Sequence, residues 1–394
     1  MNWRSTAALA LCMVGIFRGE TLAADAHNTL SADEVAEGWI SLFDGETLFG
    51  WEPATKANWA VADGVISVSE GERGLLCTTS DFADYQLKLS FRAAKGTNSG
   101  VFLRVRPDKI GDITRDCYEL NIAEPSVSPF STGGFVNRQK ATDDVATNDW
   151  QTFDITAMGG RFTIAVDGKT VLEYADPNPV ARGRIGLQLN SGKVEFRDIK
   201  LKPLGMSPLF NEHDLAGWRL HPENKSVFSV TSEGYLNVKN GRGQLETEGE
   251  YGDFVLQLEV FSNGKHLNSG VFFRSIPGEM WNGYESQIQN GFNNDDRAQP
   301  IDAGTGAIYR RTTARKVVPN DFEWFAKTIV ATGPHLAVWV NGYQVTDWTD
   351  ERPTNANPRN GRRVEPGTII IQGHDPTTDL SFRHLNIVEL PAKR

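Results

Sequence analysis

Cysteine is scarce in this 394-residue chain: Cys12, Cys77 and Cys117 are all there is, and none has the spacing of a zinc site. Cys12 lies in an apolar run near the N-terminus. Cys77 and Cys117 could pair in an oxidising compartment, and two buried thiols fit the sequence as well. Runs of one charge are missing too. The 50 Asp and Glu and 40 Lys and Arg give a net charge of −10 spread along the chain, with no basic stripe to hold nucleic acid. Beyond the N-terminus no 3.6-residue apolar period lasts three turns, which argues against a helical protein. Histidine is absent between His27 and His213, and the other six lie in the C-terminal half.

The N-terminus has Arg4 as its early charge, the apolar run Ala7 to Phe17, and small residues around Ala23 and Ala24. That is the pattern of a secretory signal peptide over residues 1–24, cleaved near Ala23 or Ala24, leaving no membrane span and implying export to the periplasm or beyond. The remaining length and the 39% hydrophobic content suit two globular domains.

A tandem repeat organises those domains. Asn98 to Arg104 reads NSGVFLR and is followed by CYELNI from Cys117; Asn268 to Arg274 reads NSGVFFR and is followed by GYESQIQ from Gly283. Each copy opens with an LF pair and a GW pair, at Leu42-Phe43 and Gly50-Trp51 and at Leu209-Phe210 and Gly217-Trp218. Hairpins are expected over Trp59 to Val68 and Phe228 to Val238, and DG and NG turns at Asp167-Gly168 and Asn341-Gly342. Period-two alternation over Tyr85 to Phe91 and Phe254 to Val260 completes an all-β reading: two tandem jelly-roll sandwiches, residues 37–203 and 204–390, joined by a short linker.

Features kept in both copies report the fold, whereas polar residues in one copy are candidates for function. His374, in Ile371-Gln372-Gly373-His374-Asp375, replaces Asn190 of the first copy, and histidine exchanges protons near neutral pH where asparagine does not. His221, His266, His335 and His384 read as surface or backbone-satisfied residues. Alternation sends Glu285 and Gln287 to one face of their strand, where they could orient sugar hydroxyls and take a proton; Glu119 and Asn121 hold the same places in the first copy. Arg274 corresponds to Arg104 and could stabilise an oxyanion, or equally form a structural ion pair with the Glu of the neighbouring strand. Tyr309 and Arg310 are gained in the second copy, and Trp281 is a candidate platform for a sugar ring.

The LFDG and GW opening, NSGVFFR, the YE-x-Q-I of Tyr284 to Ile288, the TGAIY of Thr305 to Tyr309 and the IQGH and FRHL segments ending at His374 and Leu385 together resemble the 3-keto-disaccharide hydrolase domain family. The resemblance implies a concanavalin A-like sandwich in each copy, an exported enzyme and an oxidised glycoside as substrate. A C3 ketone acidifies the C2 proton, so a base can start an elimination. On this reading Glu285 or His374 is the base, and Arg274, Tyr309 and Arg310 are candidates for enolate stabiliser or acid. Gln287 and Trp281 hold the sugar, and Asp375 orients His374 or helps bind a divalent cation. The first copy departs at Asn190 and at Gly134-Phe135-Val136, and reads as degenerate. No E-x-D-x-x-E run is present, which argues against ordinary glucanase action by paired carboxylates. A non-catalytic carbohydrate-binding protein and a surface scaffold are the competing readings.

Overall fold

The computed structural model describes residues 27–106, 113–143 and 149–392, so the signal-peptide reading lies outside the described residues. Among those described, no helix is long and apolar enough to cross a membrane. The chain forms two antiparallel β-sandwiches, each with one eight-stranded and one five-stranded sheet, and the strand order of the second repeats that of the first. In the second, the five-stranded sheet runs Trp218–Leu220, Gly243–Thr247, Thr368–Gly373, Ser269–Ser275, Tyr284–Ile288.

Local sequence chemistry accounts for the turns. Asp63-Gly64, Asp167-Gly168 and Asn341-Gly342 all have positive φ at both residues, as tight hairpins with right-handed twist require. The LF pairs do not form strands of their own. They follow the two-residue strands Ile40–Ser41 and Ser207–Pro208, and each leucine carbonyl accepts the indole N–H of its GW partner: Trp51 Nε1 to Leu42 O and Trp218 Nε1 to Leu209 O.

The two repeats meet through the large sheet of the second. In the first repeat one outward row of that sheet is Gln86, Thr156 and Thr163, paired in register. The equivalent row in the second is Val255, Val330 and Ala337, all buried and packed into the first repeat's core with Trp339. Strand His335–Val340 is consequently buried on both faces. Trp339 Nε1 donates to Ser41 O at 2.8 Å, Arg182 pairs with Asp253 at 2.5 Å and Arg315 with Asp44 at 2.8 Å, so polar bonds rim an apolar seam.

Cys77 and Cys117 do not reach each other. Their strands, Gly74–Thr78 and the one beginning at Tyr118, are separated in the sheet by two others, hence by about 14 Å, twice what a disulfide spans. Burial pushes the Cys77 thiol up to about 12, which makes it inert. Because Trp339 fills the seam, Trp339→Ala should cost about 3–5 kcal/mol, read as a lower urea midpoint; an unchanged midpoint would mean the repeats do not depend on this contact.

Candidate active site

Strand alternation places Tyr284 and Ile288 in the core and turns Glu285 and Gln287 outward, onto the free face of the five-stranded sheet. Gly270 pairs with Gln287 across the ladder and lies diagonal to Glu285, and a Cβ at Gly270 would lie 2.9 Å from Glu285 Oε1. The glycine of the NSG motif is therefore the space into which the carboxylate folds.

Around Glu285 a cleft of about 430 Å³ is enclosed by Gln287, Gln372, Trp281, His374, Tyr309, Arg310, Arg311 and Arg359. Glu285 is 4% exposed and accepts from Arg359 Nη2 at 2.9 Å. Burial raises its pKa above the usual carboxylate range, and the Arg359 guanidinium and His374 offset only part of that rise. Below the strand, Lys327 is fully buried where the first repeat has Phe153, and its ammonium donates to the Ser286 and Gln287 carbonyls at 2.8 and 2.9 Å. Loss of hydration pushes its pKa down to about 7, against the pull of Glu285.

Trp281 and His374 form one wall, their rings parallel within 3° and 6.0 Å apart. Trp281 holds φ 61, a costly conformation for an aromatic residue, because its N–H donates to Gln244 Oε1 and its indole to Gly243 O. Its loop is pinned further by Glu246, which accepts from Gly278 N and Thr368 Oγ1. His374 Nδ1 lies 2.8 Å from Asp375 Oδ2. Burial raises the pKa of Asp375, but hydrogen bonds from Thr377 and His374 outweigh it and hold the carboxylate ionised below its usual range. Asp375 is thus engaged with its neighbours, and among the described residues no group of three or more His, Cys, Asp or Glu side chains is disposed to hold a metal ion.

Two side-chain oxygens on the floor lack donors. Gln287 Oε1 and Gln372 Oε1 are buried, with no donor within reach, in side chains 1% and 2% exposed. Buried acceptors left unpaired are costly, and a ligand hydroxyl would satisfy them.

Arg274 is not in the cleft. It is 0% exposed and donates to the carbonyls of Gly252, Gly333 and Arg363 and to Asp253, 2.9 Å away. Arg104 repeats this with Ala83, Gly159, Val180 and Asp84. Both clamp the rim of their sandwich, and the partner is an aspartate rather than the glutamate on the neighbouring strand. The other seven residues singled out from sequence divide differently: Glu285, His374, Gln287, Tyr309, Arg310 and Trp281 line the cleft, and Asp375 stands behind His374. His221, His266, His335 and His384 do not line it.

Arg359, Arg311 and Lys327 were not anticipated. Arg359 lies on a connection of eighteen residues, 350–367, where the first repeat has eight, 176–183, so the excess length was a readable signal. A second signal is the outer face itself. Leu75, Cys77, Val105 and Cys117 form an apolar cluster there with Phe102, and Gln244, Glu246, Ser275 and Gly283 replace them in the second repeat. Glu119, buried and raised in pKa by that burial, is bonded by Gln188 instead of an arginine.

The sequence matches the 3-keto-alpha-glucoside-1,2-lyase-like domain twice, over residues 38–202 and 205–388. The chain belongs to that family. No curated protein matches it. Among solved structures, a candidate glycosyl hydrolase from Parabacteroides distasonis is 20% identical, with 45% of this chain and 100% of that one covered and a TM-score of 0.42. A carbohydrate binding module from Bacillus subtilis is 15% identical, covering 39% and 95%, with a TM-score of 0.32. A β-1,3-1,4-glucanase from a mouse hindgut metagenome is 16% identical, covering 39% and 92%, with a TM-score of 0.30.

Removing Arg359 takes away the main force holding Glu285 ionised. In Arg359→Gln the Glu285 carboxyl should titrate at higher pH than in the parent, followed by ¹³C NMR; a fall or no change would remove Arg359 from this role. Arg274→Met should instead cost about 3–5 kcal/mol of stability, measured by denaturant unfolding, and leave that titration in place.

Proposed function

We propose that the second lyase-like domain is an exported enzyme that cleaves glycosides whose sugar is oxidised at C3. The observation that carries this reading is a buried carboxylate held by a guanidinium and facing a histidine–aspartate pair, above amide oxygens that lack donors. Glu285 takes the C2 proton, and the electrons of the C2–H bond move into a C2=C3 enolate. Arg359 and Tyr309 stabilise the negative oxygen. The enolate then re-forms the ketone, a C1=C2 double bond forms, and the C1–O bond breaks. His374, oriented through Nδ1 by Asp375, gives a proton to the departing oxygen. Water adds across C1=C2, placing hydroxyl on C1 and hydrogen on C2. Trp281 stacks on the sugar, and Gln287 and Gln372 accept its hydroxyls.

Incubation with a 3-keto-glycoside and its unoxidised parent tests the reading. Release of the aglycone from the keto form alone is expected, with Glu285→Gln and His374→Asn each lowering kcat by about 10²–10⁴ while far-UV circular dichroism is unchanged. Retained sugar binding with turnover of neither compound would make the domain a lectin. Full activity in His374→Asn would remove that residue from the mechanism.

A further inference from the structure

The cleft is basic on a protein that is acidic overall. Arg310, Arg311 and Arg359 face one carboxylate, Glu285, while the whole chain carries −10. Arg359 is taken by Glu285; the other two arginines have no carboxylate partner among the described residues. Arg311 donates to the carbonyls of Arg310 and Arg359, and Arg310 has its ring contact with Tyr309 at 5.4 Å.

Comparison of the repeats shows how Arg311 came free. In the first repeat the equivalent residue, Arg138, pairs with Asp176 at 2.9 Å, and Asp176 also accepts from Tyr118 Oη. In the second, Tyr284 Oη still donates to the corresponding Asp350, but that carboxylate is taken by Arg352 of the long connection, through Nε and Nη2, both at 2.8 Å. Arg352 thus occupies the carboxylate that Arg311's counterpart holds in the first repeat, and Arg311 is left on the cleft wall. Burial first, and then the Arg352 and Arg359 charges, lower the Arg311 pKa, and the pull of Asp350 offsets only part of that fall. Arg310 adds a second sign. It sits at φ 60 where the first repeat has Asn137 at φ 58, and asparagine adopts that conformation more readily than arginine.

We propose that this cleft selects an anionic sugar, whose carboxylate or sulfate ester is held by Arg310 and Arg311. Two guanidiniums in that position suit the oxygens of either group through charge-assisted hydrogen bonds. The orphaned oxygens of Gln287 and Gln372 take the neighbouring hydroxyls. The inference rests on the carbohydrate reading above and names the charge class of its substrate.

Calorimetric titration of the full chain with unoxidised sugars separates this from turnover, so loss of one claim leaves the other standing. The probes are a glucuronic-acid-bearing disaccharide, its methyl ester, and a neutral disaccharide with and without a 6-O-sulfate. The acid is expected to bind about tenfold tighter than its ester, or the sulfate about tenfold tighter than its parent. Whichever difference appears identifies the group, and it should shrink at high salt and collapse in Arg310→Gln, an exposed site that leaves the fold intact. Equal affinities within both pairs would overturn the proposal, as would a difference that Arg310→Gln leaves untouched.

Discussion

A carboxylate removed from water on the face of a sheet has to be compensated by whatever surrounds it, and Glu285 imposes that requirement on the second repeat. Space comes from Gly270, since any side chain there would collide with the carboxylate. Charge comes from Arg359, carried in by a connection ten residues longer than its counterpart. From beneath, Lys327 adds a buried ammonium on the carbonyls of the same strand. The compensation is incomplete, because burial still wins over the ion pair and Glu285 holds its proton more tightly than an exposed glutamate. A carboxylate in that state suits the role of base proposed for it above.

The first repeat shows what the same backbone becomes when that requirement is relaxed. Glu119 stays buried, but its neighbour is an amide and the rest of the outer face is closed by Leu75, Cys77, Phe102, Val105 and Cys117. Apolar side chains there stabilise by leaving water, and no cleft has to be held open. In the second repeat Gln244 and Glu246 replace two of them and turn their hydrogen-bonding capacity on the loop that carries Trp281. The repeats divide the work: one contributes packing, with its core extended by Val255, Val330, Ala337 and Trp339 of the other, and one contributes a polar cavity.

The exchange of partners at Asp350 links that division to electrostatics. Tyrosine and aspartate keep the same bond in both repeats, so the sandwich is undisturbed while the arginine beside them is replaced. A single inserted segment therefore supplies Arg359 to the carboxylate and Arg352 to Asp350, and shifts the cleft toward positive potential. In a chain of net negative charge, such a local field acts on anions at close range and is screened beyond about 8–10 Å in physiological salt.

Much of the fold was legible from local chemistry. Alternation marked the strands, DG and NG marked the hairpins, and the duplicated NSGVF segments marked two sandwiches, because side-chain period and turn φ are properties of a few adjacent residues. Shared residues were less readable. Arg274 stays open in sequence between an oxyanion role and a structural ion pair, because a sequence does not say which way a side chain leaves a strand at a bulge, where its φ of 47 re-aims it into the rim. What the sequence determined by itself was the repeat, the strand pattern and two candidates: Glu285, from the alternation of its strand, and His374, from its contrast with Asn190 of the first copy. The tertiary structure decided that Arg359 meets Glu285 across 74 residues of chain, that Arg311 is left without a carboxylate, and that Cys77 and Cys117 stay apart. Those outcomes depend on which strands lie side by side and on where a long connection folds back, and no local pattern encodes either.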